Sequence, residues 1–248
     1  MVPNESAGRL SQFSNEKFDE LARRSLLSAR HWGVHTSVVI PRGDYGCEKL
    51  VRSIPSASVF HISINAENQG SWVKTMLQLK LAYMTRTHFA EYVYFEMDML
   101  ILPGASMAVQ SVFSQSPEFD VAYTYNGHSG GAASLNTGIV LYRRTQQMFS
   151  WHEAVTKNTA EVTQEWKREH GRHTFGGQNQ VAIDRLGAQN IPWGAMYEHN
   201  ITHAKIFSMP RKVLNGGSDC CDTGEALVLH FRGMTKKRIL DECCDKYV

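Results

Sequence analysis

Apolar positions recur along the chain with two periods, and their alternation predicts the elements. Between Asn15 and His31, the residues Phe18, Leu21, Ala22, Ser25, Leu26 and Ala29 share a helical face, and Gly33 supplies a stop. Val34 to Ile40 reads as a strand closed by Pro41 and the turn residues Arg42-Gly43-Asp44. A short helix over Cys47–Ile54 and a strand over Ser58–Ile64 follow. A long helix then runs from Ser71 to Thr85, with Trp72, Met76, Leu79 and Tyr83 on one stripe. The segment Tyr92–Leu102 is apolar on nearly both faces, which is the mark of a strand buried inside a sheet. Further on, the pattern predicts helices over Ala105–Phe113, Thr145–Asn158, Thr163–His170 and Gln178–Leu186. It predicts strands over Asp120–Tyr125, Leu135–Arg143, Ala204–Met209 and Ala226–Phe231.

Strands alternating with helices imply an α/β fold with an open, mostly parallel central sheet and helices on both faces. No internal repeat and no Pro- or Ser-rich linker divides the chain. A single domain over residues 1–248 is therefore expected, with 1–14 as an irregular lead-in.

Composition narrows the function. Lys and Arg number 26 against 24 Asp and Glu, a formal charge of +2, so there is no electrostatic footprint for nucleic acid. No apolar run reaches the roughly 20 residues of a membrane span. The start of the chain has no charged-then-apolar leader pattern, which points to a cytoplasmic protein. The five cysteines, Cys47, Cys220, Cys221, Cys243 and Cys244, are odd in number, and the adjacent pairs lack the two-residue spacer of zinc loops. Reduced thiols are the expectation. Asn200-Ile201-Thr202 matches a glycosylation acceptor, which matters only in a secreted setting.

Within Tyr92–Leu102 stand two carboxylates, Glu96 and Asp98. Either the strand ends at Phe95 and both acids are solvated, or they sit in a buried place that demands a cationic partner. Three other segments park polar residues beside apolar strands or glycines. These are Asn136-Thr137-Gly138, Gly176-Gly177-Gln178-Asn179-Gln180, and the strand end His230 followed by Gly233 and Lys236. In open sheets such residues converge beyond strand ends. Turn chemistry alone accounts for Asn136 and Gly138, and Gln178 or Asn179 could simply cap a helix. Taken together, oxygen donors, one imidazole, a glycine and a lysine suit a metal-bound diphosphate. The metal would be Mn²⁺ and, less well, Mg²⁺. A cation there would neutralise a departing diphosphate, with Lys236 adding a second positive charge.

These residues resemble the metal-dependent glycosyltransferases of GT-A fold, closest to the glycogenin-like retaining enzymes and their bacterial relatives. Tyr92-Val93-Tyr94-Phe95 leading into Glu96-Met97-Asp98 is similar to the family's strand ending in Asp-x-Asp. Asn136-Thr137-Gly138 matches its Asn-(Ser/Thr)-Gly, Asn179-Gln180 its Asp-Gln, and His230, Gly233 and Lys236 its His-x-x-Gly-x-x-Lys. A smaller match runs from Pro210 to Asn215.

The resemblance implies Asp98 and His230 as metal ligands, with Glu96 near the metal or the donor ribose. It implies Asn136 and Gly138 in the donor-sugar pocket and Gln180 beside the reacting carbon, with Asn179 at the adjoining catalytic position. Gly233 and Lys236 would lie on the diphosphate, and Lys80 would be a donor-binding cation, for which Lys74 or Arg86 could substitute. It also implies a nucleotide-sugar donor, UDP-linked by preference, and an acceptor hydroxyl on a glycan, protein or small molecule. Three departures stand out. Glu96 carries one methylene more than the family's Asp, which moves its reach by about 1.5 Å. Asn179 replaces an Asp, and residues 1–14 carry no strand to grip the base. A nucleotidyltransferase would want a Gly-rich basic loop after the first strand, and none is visible. A non-catalytic nucleotide-sugar-binding module of the same fold is the third reading.

Overall fold

The computed structural model describes residues 15–42, 45–55, 57–64, 72–116, 118–125, 135–171, 178–188, 191–209, 214 and 226–230. Residues 1–14, the loops 126–133 and 215–223, Gly176, Gly177, Gly233, Lys236 and every cysteine except Cys47 lie outside them. The elements in chain order are α1 (Asn15–His31), β1 (Thr36–Pro41), α2 (Tyr45–Arg52), β2 (Ala57–Ile62), α3 (Trp72–Arg86), β3 (Glu91–Phe95) and β4 (Met99–Ile101). They continue with α4 (Ala105–Gln115), β5 (Val121–Tyr125), β6 (Leu135–Arg143), α5 (Gln146–His170), α6 (Gln178–Ile183), β7 (Met196–Glu198), β8 (Lys205–Met209) and β9 (Val228–His230).

The chain divides into two compact units, each assembled from interleaved segments. One comprises Ser11–Ile62, Phe95–Pro117 and Pro210–Val248; the other comprises Met1–Leu10, Ser63–Tyr94 and Glu118–Met209.

In the first unit β1 and β2 run parallel, from Thr36 opposite Ala57 to Pro41 opposite Ile62. The pair is covered by the apolar faces of α1 and α2. Leu26, Val38, Ile40, Val51 and Ile54 form a buried cluster, with Met97 packed against it. The other strand pair is antiparallel, with Met99 opposite His230 and Ile101 opposite Val228. All three residues of β4 are buried, as are the three of β9. Helix α1 secures β4: the Ser28 hydroxyl accepts the Ile101 N–H at 3.0 Å and donates to the Ser25 carbonyl at 2.8 Å.

The second unit is built on a five-stranded sheet ordered β3-β6-β5-β8-β7. Strands β5 and β8 are parallel, whereas β6 is antiparallel to β5 and β7 is antiparallel to β8. The helix-connected parallel pairs of an α/β fold are thus present, joined by antiparallel strands that alternation alone does not reveal. The core gathers Val121, Leu135, Ile206, Met148 and Trp151, and the Trp151 indole N–H donates to the Tyr123 hydroxyl at 2.9 Å.

Two expectations change. The predicted helices over 145–158 and 163–170 are one 25-residue helix, α5. No Gly or Pro interrupts residues 145–170, so nothing in the chain breaks the helix, and the hydroxyls of Thr159 and Thr163 are satisfied within it on the carbonyls of Val155 and Thr159. Thr145 caps the start by accepting the Met148 N–H, and Gly171 at φ +61° ends it. The predicted strand Tyr92–Leu102 is in fact two strands, β3 and β4, in different sheets. Glu96, Met97 and Asp98 form the break between them. The alternation that would put Glu96 and Asp98 on one strand face therefore does not apply.

Candidate functional site

The break between β3 and β4 has a physical cause. Met97 is drawn into the core of the first unit and β4 pairs with β9, so the chain turns where the two carboxylates stand. Because Met99 faces His230 across the ladder, Asp98 arrives beside the imidazole. His230 Nε2 lies 3.4 Å from a Glu96 oxygen and 3.5 Å from an Asp98 oxygen. One potential donor atom from each of the three lies within 4.8 Å of the others. His230 is 6% exposed and Asp98 7%, while the Glu96 side chain is 31% exposed.

A strand end at Phe95 is thus observed, but the acids after it are not ordinary solvated ones. Burial pulls the His230 pKa down, yet hydrogen bonds with Asp98 and Glu96 outweigh it and leave the imidazole above its ordinary value. Two carboxylates held this close call for positive charge beside them. Two carboxylates and one imidazole make a donor set that could hold a divalent cation. The extra methylene of Glu96 does not take its carboxylate out of the group: it approaches His230 as closely as Asp98 does.

The second unit holds the other predicted residues. Between Tyr123, opposite Val140, and Thr124, opposite Asn136, the β5–β6 register slips, so Thr137, Gly138 and Ile139 bulge out of the pairing. The motif sits on that bulge. The Asn136 side-chain oxygen accepts the Gly138 N–H at 2.8 Å, a local turn that locks the amide in place. The Thr137 hydroxyl accepts hydrogen bonds from the Asn179 amide at 3.0 Å and from the Gln180 amide at 3.4 Å. Asn136, Thr137 and Asn179 are buried, and Gln180 is half-buried. Gln178 is wholly buried; its oxygen lies 2.8 Å from the Thr163 hydroxyl, while its Nε2 has no partner among the described residues.

Lys80 is 8% exposed on α3, with Nζ 3.3 Å from the centroid of the Tyr94 ring. This is a desolvated cation–π contact. Arg86, in the last turn of the same helix, is exposed. Thr137 is the residue that sequence reasoning passed over. It was visible inside Asn136-Thr137-Gly138, but nothing local announces that both amides of Asn179 and Gln180 converge on its hydroxyl.

No protein-family model matches the sequence, and no curated protein matches it. Solved structures do match. Mouse xyloside xylosyltransferase 1 in its apo form superposes with a TM-score of 0.51 at 8% identity, over 87% of this chain and 92% of that one. The chain has the GT-A fold. It shares with that xylosyltransferase a mixed α/β architecture of sheet flanked by helices. Also similar is a glycosyltransferase involved in glycosylation of the major capsid of PBCV-1, with a TM-score of 0.46 at 12% identity, over 82% of this chain and 97% of that one. The inositol-1-phosphate CTP transferase from T. maritima has a TM-score of 0.44 at 11% identity, over 90% and 84%. Identities this low speak for the fold; which reaction a GT-A fold runs is decided by its site residues. No helix among the described residues is long and apolar enough to cross a membrane.

Proposed function

We propose that the chain is a metal-dependent glycosyltransferase of hexosyl type, retaining and glycogenin-like. It would move a sugar from a nucleotide-diphosphate donor, a UDP-sugar by preference, to an acceptor hydroxyl in the cytoplasm. The observation that carries this reading is the trio Glu96, Asp98 and His230, brought together by β4 and β9 on a GT-A fold.

Asp98 and His230 hold the cation, with Glu96 as a third ligand. Bound Mn²⁺ supplies charge neutralisation for the departing diphosphate. Lys80 serves the donor as a fixed cation, and Lys236 and the Gly233 backbone bind the diphosphate. Asn136, whose side chain is locked by Gly138, orients the donor sugar. Gln180, tied with Asn179 to Thr137, stands at the reacting carbon. The bond from the anomeric carbon to the diphosphate breaks, its electron pair leaving with the diphosphate. A bond to the acceptor oxygen forms, and the acceptor's proton ends on the diphosphate or in water.

One feature supports a second reading, a nucleotide-sugar-binding module without turnover. Asn179 stands where the resemblance implies an acid, and its amide is spent on Thr137. A panel of nucleotide sugars with and without Mn²⁺, read by thermal shift and by nucleotide release, separates the two. Mn²⁺-dependent stabilisation with release supports transfer, and stabilisation without release supports the module. The absence of any Mn²⁺-dependent response rules out both.

A further inference from the structure

The end of the five-stranded sheet that carries Asn136 also carries an exposed tryptophan. The ladder sets out the row: Asn136 lies opposite Thr124, and Thr124 opposite Met209. On the far side of β8 the Gly194 N–H donates to the Ser208 carbonyl at 2.9 Å, and the Ser208 N–H donates to the Ala195 carbonyl at 3.1 Å. Three strand spacings of ~4.8 Å place Gly194 about 14 Å from Asn136 along that row.

Trp193 immediately precedes Gly194 and is 65% exposed. It occupies the second position of a turn closed by the Ala195 N–H on the Pro192 carbonyl at 3.0 Å, with Gly194 at φ +77°. That is the left-handed third position of a type II turn, where glycine is favoured. The indole is therefore held out into solvent on a backbone pinned to the sheet edge. Among the described residues it makes no hydrogen bond or ring contact. No charged residue occurs between Arg185 and Glu198, and Met196 beside it is also exposed. A rigid, bare aromatic face in a neutral stretch, one sheet-width from the sugar-transfer residues, suits the C–H face of an uncharged sugar ring.

We propose that Trp193 is the stacking platform of the acceptor, and that the acceptor is a neutral oligosaccharide. The span of about 14 Å along the row between Gly194 and Asn136 suits linked rings better than a single sugar, one ring lying on the indole while another reaches the residues around Asn136. This rests on the glycosyltransferase reading, and the test separates the two.

The full-length chain and its Trp193→Ala and Trp193→Phe variants are titrated with lactose, cellobiose and maltotriose by calorimetry, in Mn²⁺ with UDP or GDP present. Nucleotide affinity and thermal midpoint are measured alongside. At least one saccharide is expected to bind the wild type, to bind Trp193→Ala about tenfold more weakly, and to bind Trp193→Phe nearly as well, as loss and retention of a stacking face predict. Nucleotide affinity and thermal midpoint are expected to stay unchanged. Equal saccharide affinity in Trp193→Ala overturns the proposal. So does a wild type that binds nucleotide but no saccharide, while leaving glycosyl transfer to another acceptor class intact. A wild type that binds neither nucleotide nor saccharide takes down the glycosyltransferase reading and the proposal together.

Discussion

Acidification should loosen the second unit through one buried imidazole. His152, 3% exposed on α5, donates from Nε2 to the Leu77 carbonyl of α3 at 2.9 Å and so ties the two helices together. Burial lowers its pKa from 6.5 to about 4; the Leu77 carbonyl opposes this in part, and the Lys80 ammonium adds to the lowering. The sign follows directly. A histidine whose folded pKa is depressed stabilises the fold fully above the unfolded value, and that contribution drains away as pH falls from about 6.5 towards 4.

At about 1.4 kcal/mol per unit, the whole loss is about 3 kcal/mol, of which about 2 kcal/mol has gone by pH 5. His152→Gln keeps an amide donor for Leu77 and cannot titrate in this range. Urea unfolding of both proteins at pH 8 and pH 5 isolates the effect, because the carboxylates titrate in both and cancel in the difference. The wild type should lose about 2 kcal/mol more than His152→Gln over that interval. Equal losses, or a folded-state His152 pKa near 6.5 by proton NMR, would refute the argument.

Asp98→Asn should abolish the Mn²⁺-induced rise in thermal midpoint, which for a cation at a hundred times its Kd corresponds to about 2.7 kcal/mol in the wild type. Unchanged circular dichroism would show the fold intact, and a surviving Mn²⁺ shift would remove Asp98 from the ligand set. Thr137→Val strips the hydroxyl that receives Asn179 and Gln180, leaving a buried amide unpaired at a cost of about 1–3 kcal/mol. Thr137→Ser should restore both stability and nucleotide-sugar turnover, so a Ser variant as impaired as Val would deny the hydroxyl its positioning role. Gly187→Ala forces a side chain into φ +84° and a Cβ to 2.8 Å from the Tyr197 hydroxyl. The backbone term alone should cost about 1–2 kcal/mol in chemical denaturation, and a neutral result would contradict the turn geometry.

Local pattern was enough for α1 and β6, whose observed bounds, Asn15–His31 and Leu135–Arg143, are the predicted ones. In the first, small and apolar residues recur on one face and Gly33 at φ +73° ends the run; in the second, the apolar run Ile139–Tyr142 carries the strand and Arg143 closes it. The residue types of the proposed metal-diphosphate site were equally legible. Carboxylate, imidazole and amide side chains beside apolar strands are unusual enough to be noticed one segment at a time.

What tertiary structure decided is how those segments meet. Whether Tyr92–Leu102 is one strand or two depends on the distant partner β9, and on a core that takes in Met97. No neighbour in sequence carries that information. The slipped register of β6, which places Thr137 under Asn179 and Gln180, is set by pairing with β5 and by the packing of α6. The opening carboxylates show the division most clearly. Sequence alone supplied Glu96 and Asp98 two positions apart, with solvated acids and a charged site equally consistent. Burial of Asp98 and its approach to His230 across the β4–β9 ladder show that it is not an ordinary solvated acid, because a buried carboxylate requires a partner.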